Sequence, residues 1–166
     1  MHIRLATLND IPQIMPLIAE VVPAMIASGN LQWDNNYPNI AVFTNDIDKD
    51  QLWIAEIKGQ IAGISAITTD QEPEYAKVGW DIKEIAIVIH RLAVSPQYRG
   101  LGIATALLQQ AEHEALRRNI KILRIDTNTS NLATQKLFPK LGYIYAGEIG
   151  LGFRPGLRFY CYEKLL

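Results

Sequence analysis

Residues 89–108 read I-H-R-L-A-V-S-P-Q-Y-R-G-L-G-I-A-T-A-L-L. The stretch starts as an apolar strand, turns through Ser95-Pro96, passes two glycines and becomes an amphipathic helix. A strand that runs through a glycine turn into a helix N-terminus makes an anion site. The first-turn amides have no intrahelical acceptor there, and the helix dipole is positive at that end. Gly100 and Gly102 remove side chains where a phosphate has to approach the backbone. The stretch therefore predicts a phosphate-bearing cofactor; its alternative is a tight β–α connection with no ligand. Two nucleotide readings fail on residues. A dinucleotide fingerprint needs a third glycine where Thr105 stands, and a Walker loop needs a Gly-Lys-Ser/Thr ending that the segment lacks.

The 166 residues, 49% of them hydrophobic, suit one domain, 1–166, with a substantial core. Sixteen basic against 17 acidic residues give no support to a nucleic-acid or membrane-surface partner. The single cysteine, Cys161, excludes an internal disulfide and fits a reducing compartment. The N-terminus has no signal-peptide pattern, and the longest apolar run, residues 85–89, is strand-sized. A cytoplasmic protein is the expectation.

The pattern of apolar residues and breakers predicts the order β-α-α-β-β-β-α-β-α-β-β, an α/β domain with a mixed sheet. A first strand over 1–6 precedes a helix capped within Thr7–Asp10, running to about Val22 and interrupted at Pro23, with a short helical piece over 24–27. Pro38 opens a further helix. A hairpin over 51–57 and 60–68 turns at Lys58-Gly59. Residues 69–83 form a polar connection carrying Glu72, Glu74 and Asp81, which are weaker candidates for a base than for a solvated loop. A buried central strand over 84–95 is interrupted by His90 and Arg91, a costly placement unless they line a cleft. The best helix spans 102–118. After a strand over 122–126, Ser130 or Thr129 caps the last helix, Gly142 ends it, and strands over 143–149 and 157–165 close the chain.

In its residues, L-A-V-S-P-Q-Y-R-G-L-G-I-A over 92–104 resembles the acetyl-coenzyme A loop of the GNAT N-acetyltransferases. That family's pattern is Gln or Arg, two residues, Gly, one residue, then Gly or Ala, and Gln97, Gly100 and Gly102 match it. The segment N-L-A-T-Q-K-L-F-P-K-L-G-Y over 131–143 is similar to a second family block. Asn131, Leu137, Gly142 and Tyr143 keep its register, and its alanine is displaced to Ala133. The loop Gln32-Trp33…Tyr37-Pro38 and the run Ile89-His90-Arg91-Leu92 also resemble a bacterial GNAT subgroup that combines both features.

The resemblance implies a GNAT fold: a mixed, mostly antiparallel sheet of six to seven strands, helices on both faces and splayed central strands. It implies acetyl-CoA as cofactor and transfer of its acetyl group to a primary amine of a small molecule or an exposed amino group, by direct attack on the thioester. The backbone of Arg99, Gly100, Leu101, Gly102, Ile103, Ala104 and Thr105 would hold the pyrophosphate. Leu92, Ala93 and Val94 would pair with the pantetheine arm as a strand does. Asn131 would contact the arm or serve as a helix cap, and Phe138 stands where many relatives place an acidic tyrosine. That loss leaves Tyr143, Tyr145 or water to protonate the leaving thiolate.

Some relatives carry a glutamate base at the position of Val88. His90, two residues on, is the candidate base here, with a structural histidine as the alternative. Arg91 either binds a substrate carboxylate or pairs with Glu84 or Asp81. Trp33 and Tyr37 either form a binding lip or pin their loop to the core. Cys161 is expected in the core. No metal is implied, and the family admits a homodimer. A different class of function, an acyl-CoA-binding sensor with weak catalysis, draws on the departures at Phe138 and Val88.

Overall fold

A computed structural model describes residues 1–166. In chain order the elements are β1 (His2–Leu5), α1 (Ile11–Ala27), α2 (Ile40–Asp48), β2 (Leu52–Ile57), β3 (Gln60–Thr68), β4 (Ile87–Val94), α3 (Ile103–Arg117), β5 (Ile122–Asn128), α4 (Leu132–Lys140), β6 (Ile144–Gly150) and β7 (Arg158–Leu165). This is the order expected from the sequence. The sheet has seven strands, β1-β2-β3-β4-β5-β7-β6. β4 and β5 run parallel, while β1–β2, β2–β3, β5–β7 and β6–β7 are antiparallel. The chain forms two compact units: Met1–Ile67 with His90–Gln110, and Thr68–Ile89 with Ala111–Leu166.

In the first unit, strand alternation, together with a bulge at Ala62 that shifts the β2/β3 register, divides the apolar residues between two faces. Leu52, Ile54, Ile64 and Ala66 pack with Ile14, Leu17, Ile18 and Val21 of α1 and with Phe43 and Ile47 of α2. Ala55 and Ala62 point the other way, onto Ile103 and Leu107 of α3. Gly63 brings α3 close. A Cβ at that position would stand 2.6 Å from the Ile103 Cγ2 and 3.0 Å from the Ala93 carbonyl oxygen.

Helix α1 corrects the expected break at Pro23. It runs through Pro16 and Pro23 without interruption. Both prolines lie on its exposed side, where water can satisfy the carbonyls that lose a donor. With its preceding turn it gives a 20-residue helical run, Leu8–Ala27, long and apolar enough to cross a membrane by length and composition. In this fold Ile14, Leu17, Ile18, Val21 and Val22 are buried in the core instead.

In the second unit, β5 pairs with β7 over its whole length, from Ile122↔Leu165 to Asn128↔Phe159. The polar connection after β3 contributes a 3-10 turn, Pro73–Val78. Its Tyr75 is fully buried against Val88, Ile149, Phe159 and Cys161. Arg124 of β5 is also buried, held by Glu163 at 2.9 Å, the Asp81 carbonyl at 3.1 Å and the face of Trp80. Helix α4 is capped by Asn131, whose side chain accepts from the Thr134 amide, and not by Ser130 or Thr129 as expected. The Asn128 side chain accepts from the Ser130 amide and directs that residue into the preceding turn.

Candidate functional site

The turn between β4 and α3 lies in the first unit. The Ser95 hydroxyl accepts from the Gln97 amide and closes the 3-10 turn Pro96–Tyr98. It also donates to Glu20 at 3.3 Å, and the Gln97 side-chain amide donates to the same carboxylate at 3.0 Å. Gly100 and Gly102 follow at φ +80° and +78°, a left-handed conformation that favours glycine. A Cβ on either would meet no atom within 4 Å, so both open onto free space. Helical bonding in α3 begins with the Ala106 amide donating to the Gly102 carbonyl. The amides of Ile103, Ala104 and Thr105 therefore precede the first intrahelical donor. Successive backbone amides around left-handed residues form an anion-binding concavity, and the helix dipole adds to it. Gly100, Leu101 and Gly102 are exposed, as is Arg99, while Ala104 and Thr105 are half-buried. The turn thus has the shape and polarity a pyrophosphate needs.

Upstream, Leu92 and Val94 face α3 while Ala93 packs in the core under α1 and α2. The Ser95 amide donates to the Ala62 carbonyl at 2.8 Å, so β4 is anchored on β3 up to the turn. His90 is half-buried. Immediately after it, Arg91 takes φ +52° inside the strand. The regular alternation assumed for His90 does not carry past that residue.

Arg91 is committed inside the protein. Its Nε and Nη2 donate to the two oxygens of Asp46, each at 2.7 Å, and its Nη1 donates to the Tyr37 hydroxyl at 3.3 Å. Asp46 is 2% exposed. Burial disfavours the Arg91 cation, but Asp46 and Tyr37 outweigh it and hold its pKa above the ordinary value. The pairing expected with Glu84 or Asp81 is corrected to Asp46. Trp33 is buried in the α1/α2 core, and Tyr37 is tied down by Arg91 and by the Asp34–Tyr37 bridge. Both rings pack against the same core.

In the second unit, Asn131 is the α4 cap. Phe138 is 1% exposed and meets the Tyr162 ring edge-on at 5.3 Å. Tyr143 is buried against Phe138, and burial, with Glu112 nearby, raises its pKa. Tyr145 is exposed and packs edge-on against Tyr160 and Tyr162. Burial pushes the Cys161 thiol up to about 12, as suits a core cysteine.

One titratable pair in this unit escaped the sequence reading. The Tyr75 hydroxyl donates to Asp126 of β5 at 2.5 Å. Burial pushes the Asp126 carboxyl up to about 6; the Tyr75 bond works against that shift and Glu72 adds to it. A lone carboxylate in the apolar run I-L-R-I-D was its only trace in the sequence. Its partner lies 51 residues away, in a loop without periodicity.

A sequence profile of the acetyltransferase (GNAT) family matches residues 23–143. The chain belongs to the GNAT family. The family is one of acetyltransferases that use acetyl-CoA. A GNAT-family acetyltransferase of Streptococcus agalactiae, known from a crystal structure, is 31% identical with a TM-score of 0.84. The match covers 99% of this GNAT chain and 95% of that one. An uncharacterized N-acetyltransferase of Archaeoglobus fulgidus is 33% identical over 93 residues, 55% of this chain and 58% of that protein. The N-acetylaspartate synthetase of Xenopus tropicalis is 26% identical over 114 residues, 69% of this chain. The match covers only 38% of that synthetase's length.

Proposed function

We propose that this chain is an acetyl-CoA-dependent N-acetyltransferase whose acceptor is a primary amine of a small molecule or an exposed amino group. The reading rests above all on the pair of left-handed glycines, open to free space, directly before the N-terminus of α3. When bound, the coenzyme supplies an acetyl group activated as a thioester. The chain's own residues then divide the work. The amides from Arg99 to Thr105 hold the pyrophosphate. The backbone of Leu92, Ala93 and Val94 would align the pantetheine arm, and the Val94 amide would serve as a donor to the thioester carbonyl oxygen. His90 takes the proton from the acceptor ammonium, directly or through water, since an amine with a pKa near 10 is mostly charged at neutral pH.

Arg91 spends its fork on Asp46, so acceptor recognition is assigned without a carboxylate contact at that residue. The buried thiol Cys161 supports a cytoplasmic location. Thermal melting with acetyl-CoA, together with thiol release over a panel of amines, tests the proposal. At about 100 times its Kd the coenzyme should stabilise the fold by about 2.7 kcal/mol, and at least one amine should release thiol. Unchanged melting at millimolar acetyl-CoA overturns the reading. Binding without turnover on any amine replaces the acceptor assignment with coenzyme sensing.

A further inference from the structure

Arg91 is a non-glycine residue in the left-handed region, in the middle of a β-strand. Such a conformation is disfavoured and persists only where its surroundings over-determine it. The surroundings here are specific. Both oxygens of a nearly inaccessible carboxylate on α2 grip the guanidinium fork, and the Tyr37 hydroxyl takes a third donor. α2 is itself fastened through Phe43 and Ile47 into the α1/α2 core, so Asp46 is a fixed point. The peptide following Arg91 starts the segment Leu92–Val94, whose direction is set on the far side by the Ser95 amide on the Ala62 carbonyl. The strand is thus held at one end by a backbone bond and at the other by an ion pair.

We infer that Asp46 and Arg91 are positioning residues for acetyl transfer: the pair holds β4 in its left-handed kink, so that the Leu92–Val94 backbone faces the thioester. This inference rests on the function proposed above. Neither side chain touches the reacting atoms. The phosphate turn, built on Glu20, Ser95 and Gln97, does not depend on the pair.

The test uses the full chain carrying Asp46→Asn, Asp46→Glu or Arg91→Lys. Asp46→Asn removes the charge with little change of volume. Arg91→Lys keeps the charge and removes the two-pronged fork. Both should lower kcat roughly ten- to hundredfold, the scale of a sub-ångström to ångström misplacement, and weaken coenzyme A by a clearly smaller factor, because the Leu92–Val94 backbone holds only the arm while the turn after it is fastened separately. Asp46→Glu, which can re-form the fork, should recover part of the kcat. In the same variants without coenzyme, amide hydrogen exchange should quicken at Leu92 and stay unchanged at Ile54. Full kcat in folded Asp46→Asn with unaltered exchange at Leu92 overturns the inference. So does equal weakening of kcat and coenzyme affinity, which marks a general loss of structure. If the wild type neither binds coenzyme nor turns over, the functional reading has failed, and the exchange at Leu92 alone decides whether the pair holds the kink.

Discussion

Replacing Asp126 by Asn should stabilise the protein at neutral pH and leave it unaltered in acid. The Asp126 carboxyl keeps its proton up to about pH 6 in the folded chain, against an ordinary value of 3.8. Between those values the folded chain holds a proton that the unfolded chain has released. The group therefore favours folding fully below pH 3.8, and that contribution is lost as pH rises through 6. A rise of about two pH units at 1.36 kcal/mol each gives at most about 3 kcal/mol. Asn is neutral throughout, and its carbonyl can accept from the Tyr75 hydroxyl as the carboxyl does. Tyr75 stays protonated over the whole range because burial pushes its pKa well up. The difference in melting temperature between Asp126→Asn and wild type should be near zero at pH 4. It should grow to several degrees at pH 7.5, at roughly 2–4 °C per kcal/mol for a chain of this size. Other carboxylates titrate in both proteins and cancel. An equal difference at both pH values, or a less stable variant at pH 7.5, would refute the assignment of a destabilising buried charge.

Gly63→Ala drives a methyl group into Ile103 and the Ala93 carbonyl, and should cost about 1–3 kcal/mol in urea unfolding. Because Ile103 opens α3, coenzyme affinity should weaken with it; unchanged stability and affinity would show that α3 can shift freely. Asn131→Ala removes the α4 cap and should cost about 1 kcal/mol with the KM for acetyl-CoA unchanged. A raised KM at unchanged stability would instead return Asn131 to contact with the coenzyme arm.

The order of elements was legible because each signal is local. Apolar runs on either side of Lys58-Gly59 mark β2 and β3, period-3.6 apolar spacing marks α3, and turn residues punctuate them. The break expected at Pro23 was wrong because a proline's effect depends on which side of the helix meets water, and that is decided by what the helix packs on. The α4 cap fell on Asn131, one or two residues past Ser130 and Thr129, among five capping residues in T-N-T-S-N where only the bonds made by Asn128 and Asn131 discriminate.

The glycine turn between β4 and α3 was legible from local sequence alone. That reading needs only a strand, two glycines and a helix start, all within the twenty consecutive residues from Ile89 to Leu108. Tertiary structure decided the partners of charged groups. Arg91 meets Asp46 across 45 positions, and Asp126 meets Tyr75 across 51. A charge can be recognised in a sequence, but its energy depends on distance and burial, and those exist only once the chain has folded.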